Sequence, residues 1–172
     1  MDTITTYRLI ATCLGDVMCI AQGSIIIGLY LAGQKNYPEI QQEWIRDDSS
    51  ALFDSVCKEL NEYFSGNRHY FSFMSQALSG TSFQLSVWKA LGQIPYGTTI
   101  SYAQLATSIN KPTSARAVAS AVGKNPLSII IPCHRVIGSD GALRGYAGGL
   151  QRKQSLLDLE EKFLNKERSS HE

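Results

Sequence analysis

Two S/T-x-x-Q capping boxes stand near the middle of this chain, Thr81 with Gln84 and Ser101 with Gln104. In such a box the hydroxyl accepts from a free backbone N–H of the first turn and the amide side chain accepts in return from the cap residue, so each box fixes where a helix begins. Behind the first, Phe83, Val87, Leu91 and Ile94 recur at helical spacing until Pro95, Tyr96 and Gly97 end the run. Behind the second, Tyr102, Leu105, Ala106 and Ile109 share one face, and Asn110 and Pro112 stop it. Thr113 is placed to cap a third helix running from Ala115 through Val122 to Gly123. Two short helices joined by about three residues predict a helix-turn-helix. The third helix carries Ala115, Ala117, Ala119, Ser120 and Ala121 with Arg116 as its one long cation. A surface this smooth suits tight internal packing or close approach to a nucleic-acid groove, and the residues alone leave both open.

The preceding residues obey a different period. Residues 7–13, 17–22 and 24–31 are short apolar runs separated by Gly15-Asp16 and Gly23, which are turn signals. Residues 34–48 are polar and read as loop. From Ser49 to Phe64, Leu52, Phe53, Val56, Leu60, Tyr63 and Phe64 follow helical spacing, with Gly66 at the position of a C-terminal cap. The expected fold class is therefore α+β. A small N-terminal α/β domain with an antiparallel sheet (1–78) precedes a mainly helical C-terminal domain containing the helix-turn-helix (79–172).

With a formal net charge of +1, the chain has no global field to draw nucleic acid, so any such contact must come from a local patch. No apolar run approaches the length that spans a bilayer, and MDTITTYRL lacks the pattern of a secretory leader. A cytoplasmic protein, nuclear in a eukaryote, is expected, with reduced thiols at Cys13, Cys19, Cys57 and Cys133. No C-x-x-C pair is present and no metal is expected, although Cys13 and Cys19 would face each other across a hairpin.

Chemistry concentrates at SIIIPCHRVIG, residues 128–138. A β-branched run reads as a buried strand, and Pro132 bends its end to present Cys133, His134 and Arg135. Thiolate is the reactive form of cysteine, so a nucleophilic Cys133 needs a base or a positive environment. Neighbours on a strand point to opposite faces, so His134 reaches the sulfur only through a turn or a bridging water. Cys57, among apolar residues on its helix, reads as inert. Next comes GSDGALRGYAGG (138–149), whose five glycines suit a loop that approaches something closely. In the final helix Leu156, Leu157, Phe163 and Leu164 form an apolar stripe, and Glu160 lies within it. A carboxylate there needs a partner. His134 would complete a Cys–water–His–Glu relay, and a Lys or Arg would make a structural ion pair instead.

The stretch NPLSIIIPCHRVIGSDGALRGYAGGLQRKQSLLDLE closely resembles the active-site region of the O6-alkylguanine-DNA alkyltransferases, the methylated-DNA–protein-cysteine methyltransferases. GTSFQLSVWKALGQIPYGTTISYAQLA and SARAVASAVGKNP extend the likeness, and ELNEYFSGNRHYF is more loosely similar. The resemblance implies DNA repair by irreversible transfer of an alkyl group from O6-alkylguanine, with O4-alkylthymine a further substrate, to Cys133. Each molecule would act once, as a monomer, with no cofactor and no membrane. His134 is implied to deprotonate Cys133 through water, Glu160 to orient His134, Asn125 to brace the turn before the active-site strand, and Tyr102 to assist the guanine leaving group. Arg116 is implied to enter double-stranded DNA from the minor groove in place of an extruded nucleotide, with Ala115, Ala117, Ala119 and Ser120 along the same interface. Tyr146, Ala147, Gly148, Arg135 and Val136 are implied to form the base pocket. This chain departs from many relatives at Ala119 (often Gly), Ala147 (Ser in some) and Ser155 (often Trp), none of which is the nucleophile. A lesion binder of the alkyltransferase-like kind would lack the cysteine. A cysteine hydrolase built on Cys133, His134 and Glu160 would need an oxyanion hole and would turn over.

Overall fold

The computed structural model describes residues 3–75 and 78–170. The chain forms two compact units. One is Met1–Ser79 together with Pro126–Ile130, and the other is Gly80–Asn125 together with Ile131–Glu172.

In the first unit β1 (Thr5–Ile10), β2 (Val17–Gln22) and β3 (Ile25–Leu31) make an antiparallel meander. A fourth strand, β4 (Ile45–Arg46), joins β1 in parallel, giving the order β3-β2-β1-β4. The polar 34–48 segment thus holds a strand where loop was expected. Two residues are too few to carry an alternating pattern, so pairing alone reveals it. Helix α1 (Ala51–Phe64) buries Phe53, Val56, Leu60 and Tyr63, in keeping with its periodicity. Cys13 is exposed in the hairpin turn beyond β1, whereas Cys19 is buried and stands opposite Arg8, so the two thiols do not face each other. Cys57 on α1 is half-buried, and burial pushes its thiol up.

The largest correction concerns residues 128–131. They are buried, as their composition requires, but they are not a strand. Leu127 makes a single parallel bridge to Leu29, with Leu29 N–H donating to Pro126 O at 2.8 Å and Ser128 N–H to Leu29 O at 2.9 Å. Pairing stops there because Ile129 turns the chain. Its φ is 72°, and Ile130 N–H closes on Ser128 O at 2.9 Å. A γ-turn with positive φ is strained even for small residues, and a β-branched side chain at this dihedral costs about 1–3 kcal/mol. The β-branched run that reads as a strand is held in turns by its surroundings.

In the second unit both capping boxes form. Helix α2 (Ser82–Leu91) starts at Thr81 and α3 (Tyr102–Ser108) at Ser101, each with the reciprocal bonds to Gln84 and Gln104. After α3 the chain closes in a Schellman motif. Asn110 takes a φ of 59°, its N–H reaches Thr107 O at 2.9 Å, and Lys111 N–H reaches Ala106 O at 2.9 Å. The turn runs through residues 109–114, longer than expected, and α4 (Ala115–Gly123) begins from Ser114. Ser114 makes no side-chain cap bond, so the expected cap at Thr113 is not used. Trp88 on α2 pins the far end of α4, its indole N–H donating to Ala121 O at 2.9 Å. Short strands β5 (Ile100–Ser101) and β6 (Val136–Ile137) pair in parallel, and α5 (Leu150–Ser169) closes the unit. Among the described residues no helix is long and apolar enough to cross a membrane.

Candidate active site

Pro132 converts the buried turns into a presented side chain. Its dihedrals of −79° and 62°, with Cys133 N–H on Ile131 O at 2.8 Å, define an inverse γ-turn. One turn of 3-10 helix (Cys133–Arg135) follows, so Cys133, His134 and Arg135 fan out instead of alternating as they would along a strand. Cys133 is nonetheless only 5% exposed, so the bend positions the thiol without opening it broadly to solvent.

Asn125 is the residue nearest in function to the sulfur. Its amide Nδ2 donates to Cys133 Sγ at 3.1 Å and to Ile131 O at 2.9 Å, tying the two ends of the buried turns together. Burial pushes the Cys133 thiol up, and the Asn125 hydrogen bond and the Lys153 ammonium only partly offset that. At neutral pH the group rests as a thiol and needs a base to become a nucleophile.

His134 and Glu160 are fully buried, with His134 Nε2 and Glu160 Oε1 2.7 Å apart. Burial lowers the affinity of the imidazole for a second proton. The hydrogen bond and charge of Glu160 work against that, while Arg135 and Lys153 reinforce it. Burial would likewise raise the Glu160 carboxyl, but the His134 hydrogen bond and the Arg135 ion pair outweigh it and hold the group well below the usual carboxylate range. Because the ring is neutral, the lasting positive charge beside Glu160 is that of Arg135. An ionised carboxylate only accepts, so the single imidazole proton sits on Nε2 and the lone pair on Nδ1.

Glu160 meets both of the partners weighed for it, the His134 imidazole and a guanidinium. Arg135 Nε lies 3.0 Å from Oε2 and Nη2 lies 2.9 Å from Oε1. Gly97 N–H also donates to Oε2, at 3.0 Å. Gly97 holds a φ of 70°, and a Cβ there would meet Leu164 Cδ2 at 2.7 Å. Glycine is the residue that lets this amide reach the carboxylate. Arg135, expected in the base pocket, directs its side chain to Glu160. Its third nitrogen, Nη1, donates to Ile94 O at 2.6 Å, and its guanidinium lies 5.6 Å from the centroid of the Tyr96 ring. Val136, also expected in the pocket, is wholly buried in β6, and its carbonyl accepts from Lys153.

Lys153 is the site residue that sequence reasoning missed. It is wholly buried on α5, donates to Val136 O and, at 2.7 Å, to Arg144 O, and sits 5.9 Å from the centroid of the Tyr102 ring. Burial brings its ammonium down to about 8, with the Cys133 charge acting the other way. The signal was present in the spacing: Lys153, Leu156 and Glu160 share one helical stripe, and the arithmetic that found Glu160 also finds Lys153.

Tyr102 and Tyr146 sit close enough for Cys133's charge to raise both phenols, after burial as the larger cause. Tyr102 hydroxyl donates to Arg144 O at 2.9 Å, and a Cβ on Gly145 would meet that hydroxyl at 3.2 Å. Tyr146 hydroxyl is buried with no hydrogen-bond partner among the described residues, while Ala147 and Gly148 beside it are half-exposed. On α4, Val118, Ala121 and Val122 are buried. Arg116, Ala117 and Ser120 are exposed, and Ala115 and Ala119 are half-exposed. One face of α4 thus packs inward, and another is exposed with its single guanidinium. Among the described residues no group of three or more His, Cys, Asp or Glu is placed to hold a metal ion.

Residues 82–162 match the family model described as 6-O-methylguanine DNA methyltransferase, DNA binding domain. A methylated-DNA–protein-cysteine methyltransferase of Methanosarcina barkeri is 50% identical over 135 residues, covering 78% of this chain and 83% of the relative. The inducible methylated-DNA–protein-cysteine methyltransferase of Bacillus subtilis is 44% identical over 149 residues, covering 81% and 82%. Among solved structures, the OGT of Mycobacterium tuberculosis in complex with DNA superposes with a TM-score of 0.85 at 42% identity, covering 92% of this chain and 94% of that one.

Proposed function

The chain belongs to the methylated-DNA–protein-cysteine methyltransferase family, and from that premise we propose that the Cys133 sulfur is the alkyl acceptor in repair of O6-alkylguanine in DNA. The observation that carries the assignment is a buried thiol, Cys133, that accepts from the Asn125 amide and is followed in the chain by an imidazole, His134, oriented by the Glu160 carboxylate. The protein is an alkyltransferase that repairs DNA directly.

In the proposed sequence His134 Nδ1 accepts the Cys133 proton through a bridging water. Asn125 stabilises the thiolate as charge develops on sulfur. The thiolate attacks the alkyl carbon, forming the sulfur–carbon bond as the carbon–O6 bond breaks. The bonding pair passes to guanine, which takes a proton from the Tyr102 hydroxyl, and the proton that His134 took from Cys133 restores that hydroxyl, so the net transfer is of one proton from thiol to guanine. The thioether has no route back to thiol, so each molecule acts once. For Tyr102 to assist, its hydroxyl must leave Arg144 O, which retains Lys153 as a donor. Tyr146, Ala147 and Gly148 wall the base, and the buried Tyr146 hydroxyl gains a partner from it.

The lesion is inaccessible inside a duplex, so the nucleotide must be extruded. Arg116 fills the vacated place from the minor groove, while Ala115, Ala117, Ala119 and Ser120 allow close approach. DNA recognition and alkyl acceptance both fall within residues 79–172, acting in a monomer, in the cytoplasm beside the genome. The test is transfer of a labelled methyl group from O6-methylguanine in duplex DNA. One covalent label per chain, lost in Cys133→Ala, is expected. Lesion binding with no label marks a binder, and release without retained label marks a hydrolase. Either outcome with folded protein overturns the assignment.

A further inference from the structure

Arg135 is more than a structural neighbour of the relay. Glu160 Oε1 meets His134 Nε2 at 2.7 Å and Arg135 Nη2 at 2.9 Å, so one oxygen is shared between the base and a permanent cation. Oε2 is taken by Arg135 Nε and by Gly97 N–H, both at 3.0 Å. The guanidinium is locked by Ile94 O and lies over the Tyr96 ring, and it is itself buried. We propose that Arg135 is a positioning residue of the proton relay: by sharing Glu160 with His134 it cancels the carboxylate's charge, so that His134 rests neutral and passes on the proton it takes from Cys133.

The alternative arrangement shows why the cation matters. A buried imidazole against a lone carboxylate gains a proton and becomes an ion pair, and an imidazolium cannot accept the thiol's proton. Beside a carboxylate already neutralised by guanidinium, imidazolium gains little, and the proton is held only transiently. The charged and titratable groups acting on this pair are Lys153 from α5, which also disfavours imidazolium, and Tyr96 from the turn before β5, whose phenol is itself influenced by Glu167. Lys at position 135 would keep the charge but lose the fork geometry that holds both carboxylate oxygens and Ile94 O.

The inference rests on His134 being the base, and the experiment separates the two. Single-turnover methyl transfer is followed against pH for the wild type, Arg135→Met, Arg135→Lys and His134→Gln. The wild-type rate falls on an acidic limb, and His134→Gln removes that limb. Arg135→Met moves the limb up by about one pH unit or more, so its rate deficit is roughly tenfold larger on the acidic side of neutrality than on the alkaline side. Arg135→Lys keeps the wild-type limb. A limb lost in His134→Gln but unmoved in Arg135→Met, with a uniform deficit at every pH, overturns this inference alone. A limb that survives in His134→Gln overturns the base assignment and this inference with it. Should Arg135→Met fail to fold, nitrogen NMR of the wild-type imidazole decides: a neutral ring protonated on Nε2 at pH 7 supports the inference, and an imidazolium at pH 7 overturns it.

Discussion

Asn125→Ala separates the effect of the thiol's nearest donor on stability from its effect on rate. The Asn125 Nδ2 donates two bonds, at 2.9 Å to Ile131 O and at 3.1 Å to Cys133 Sγ. The carbonyl is not orphaned by the change, because Cys133 N–H still reaches it at 2.8 Å. The stability loss is therefore that of ordinary net hydrogen bonds, about 2 kcal/mol in all, or roughly 4–8 °C in a melt of a protein this size. The rate is more sensitive. A hydrogen bond to a charged group contributes about 1.5–3 kcal/mol, and its loss from the developing thiolate slows transfer by roughly ten- to 150-fold. Burial already pushes the thiol up, with Asn125 the largest opposing influence, ahead of Lys153. The assay is single-turnover transfer from methyl-labelled duplex with protein in excess, at a temperature well below the melt. Asn125→Asp supplies the isosteric control, since a carboxylate beside sulfur opposes the thiolate and is expected to be slower than alanine. A loss below about threefold in Asn125→Ala, or an Asn125→Asp rate equal to wild type, refutes the reasoning.

Two further outcomes are expected. Lys153 is held at about 8 against its ordinary 10.5, so the folded state binds that proton less tightly than the unfolded chain: the penalty is fully present below pH 8 and fades as pH rises towards 10.5. In Lys153→Met the melting temperature relative to wild type should consequently drop between pH 7.5 and 10.5, by an amount corresponding to on the order of 2 kcal/mol; a constant difference across that range contradicts the assignment. Arg116 is exposed on α4, so Arg116→Ala should leave the melt within about 0.5 kcal/mol of wild type while slowing repair of duplex DNA more than reaction with a free-base analogue. Equal losses on both substrates contradict its role in extrusion.

What could be read from the sequence followed from local rules, and what could not depended on neighbours. The capping boxes at Thr81 and Ser101 formed because their donors and acceptors lie within four residues of each other. Glu160 was legible because a charge on an apolar stripe demands a partner, but the number of partners was not. A carboxylate has room for several donors, and the chain supplies Gly97, His134 and Arg135 from two separate segments. Residues 128–131 misread for the opposite reason. Their composition is that of a strand, yet the bonds made by Ser128, Ile130 and Cys133 hold them in turns, so tertiary context overrode propensity. The partner of Arg135 was not legible, because adjacency to Cys133 and His134 does not say that a 3-10 turn sends its side chain to Glu160.

A nucleophile that is consumed by its own reaction faces a constraint that a turnover enzyme does not. A permanently ionised, accessible thiol would be spent on any electrophile that reached it, and each such event would remove one molecule from service. Cys133 avoids this by two features that oppose reactivity in the free protein: it is nearly closed to solvent, and burial keeps it protonated. The activating groups are present but incomplete. Asn125 donates to the sulfur already, and Lys153 lies within reach of its charge, while the base has no advantage in holding the proton, because Arg135 has taken up the charge of Glu160. Ionisation thus becomes favourable only when something else accepts the consequences, and an extruded base does so by excluding water from the sulfur and by offering guanine as the final home of the proton. On this view the buried Arg135–Glu160 pair, which would be a poor investment for stability alone, makes the thiol wait for its substrate.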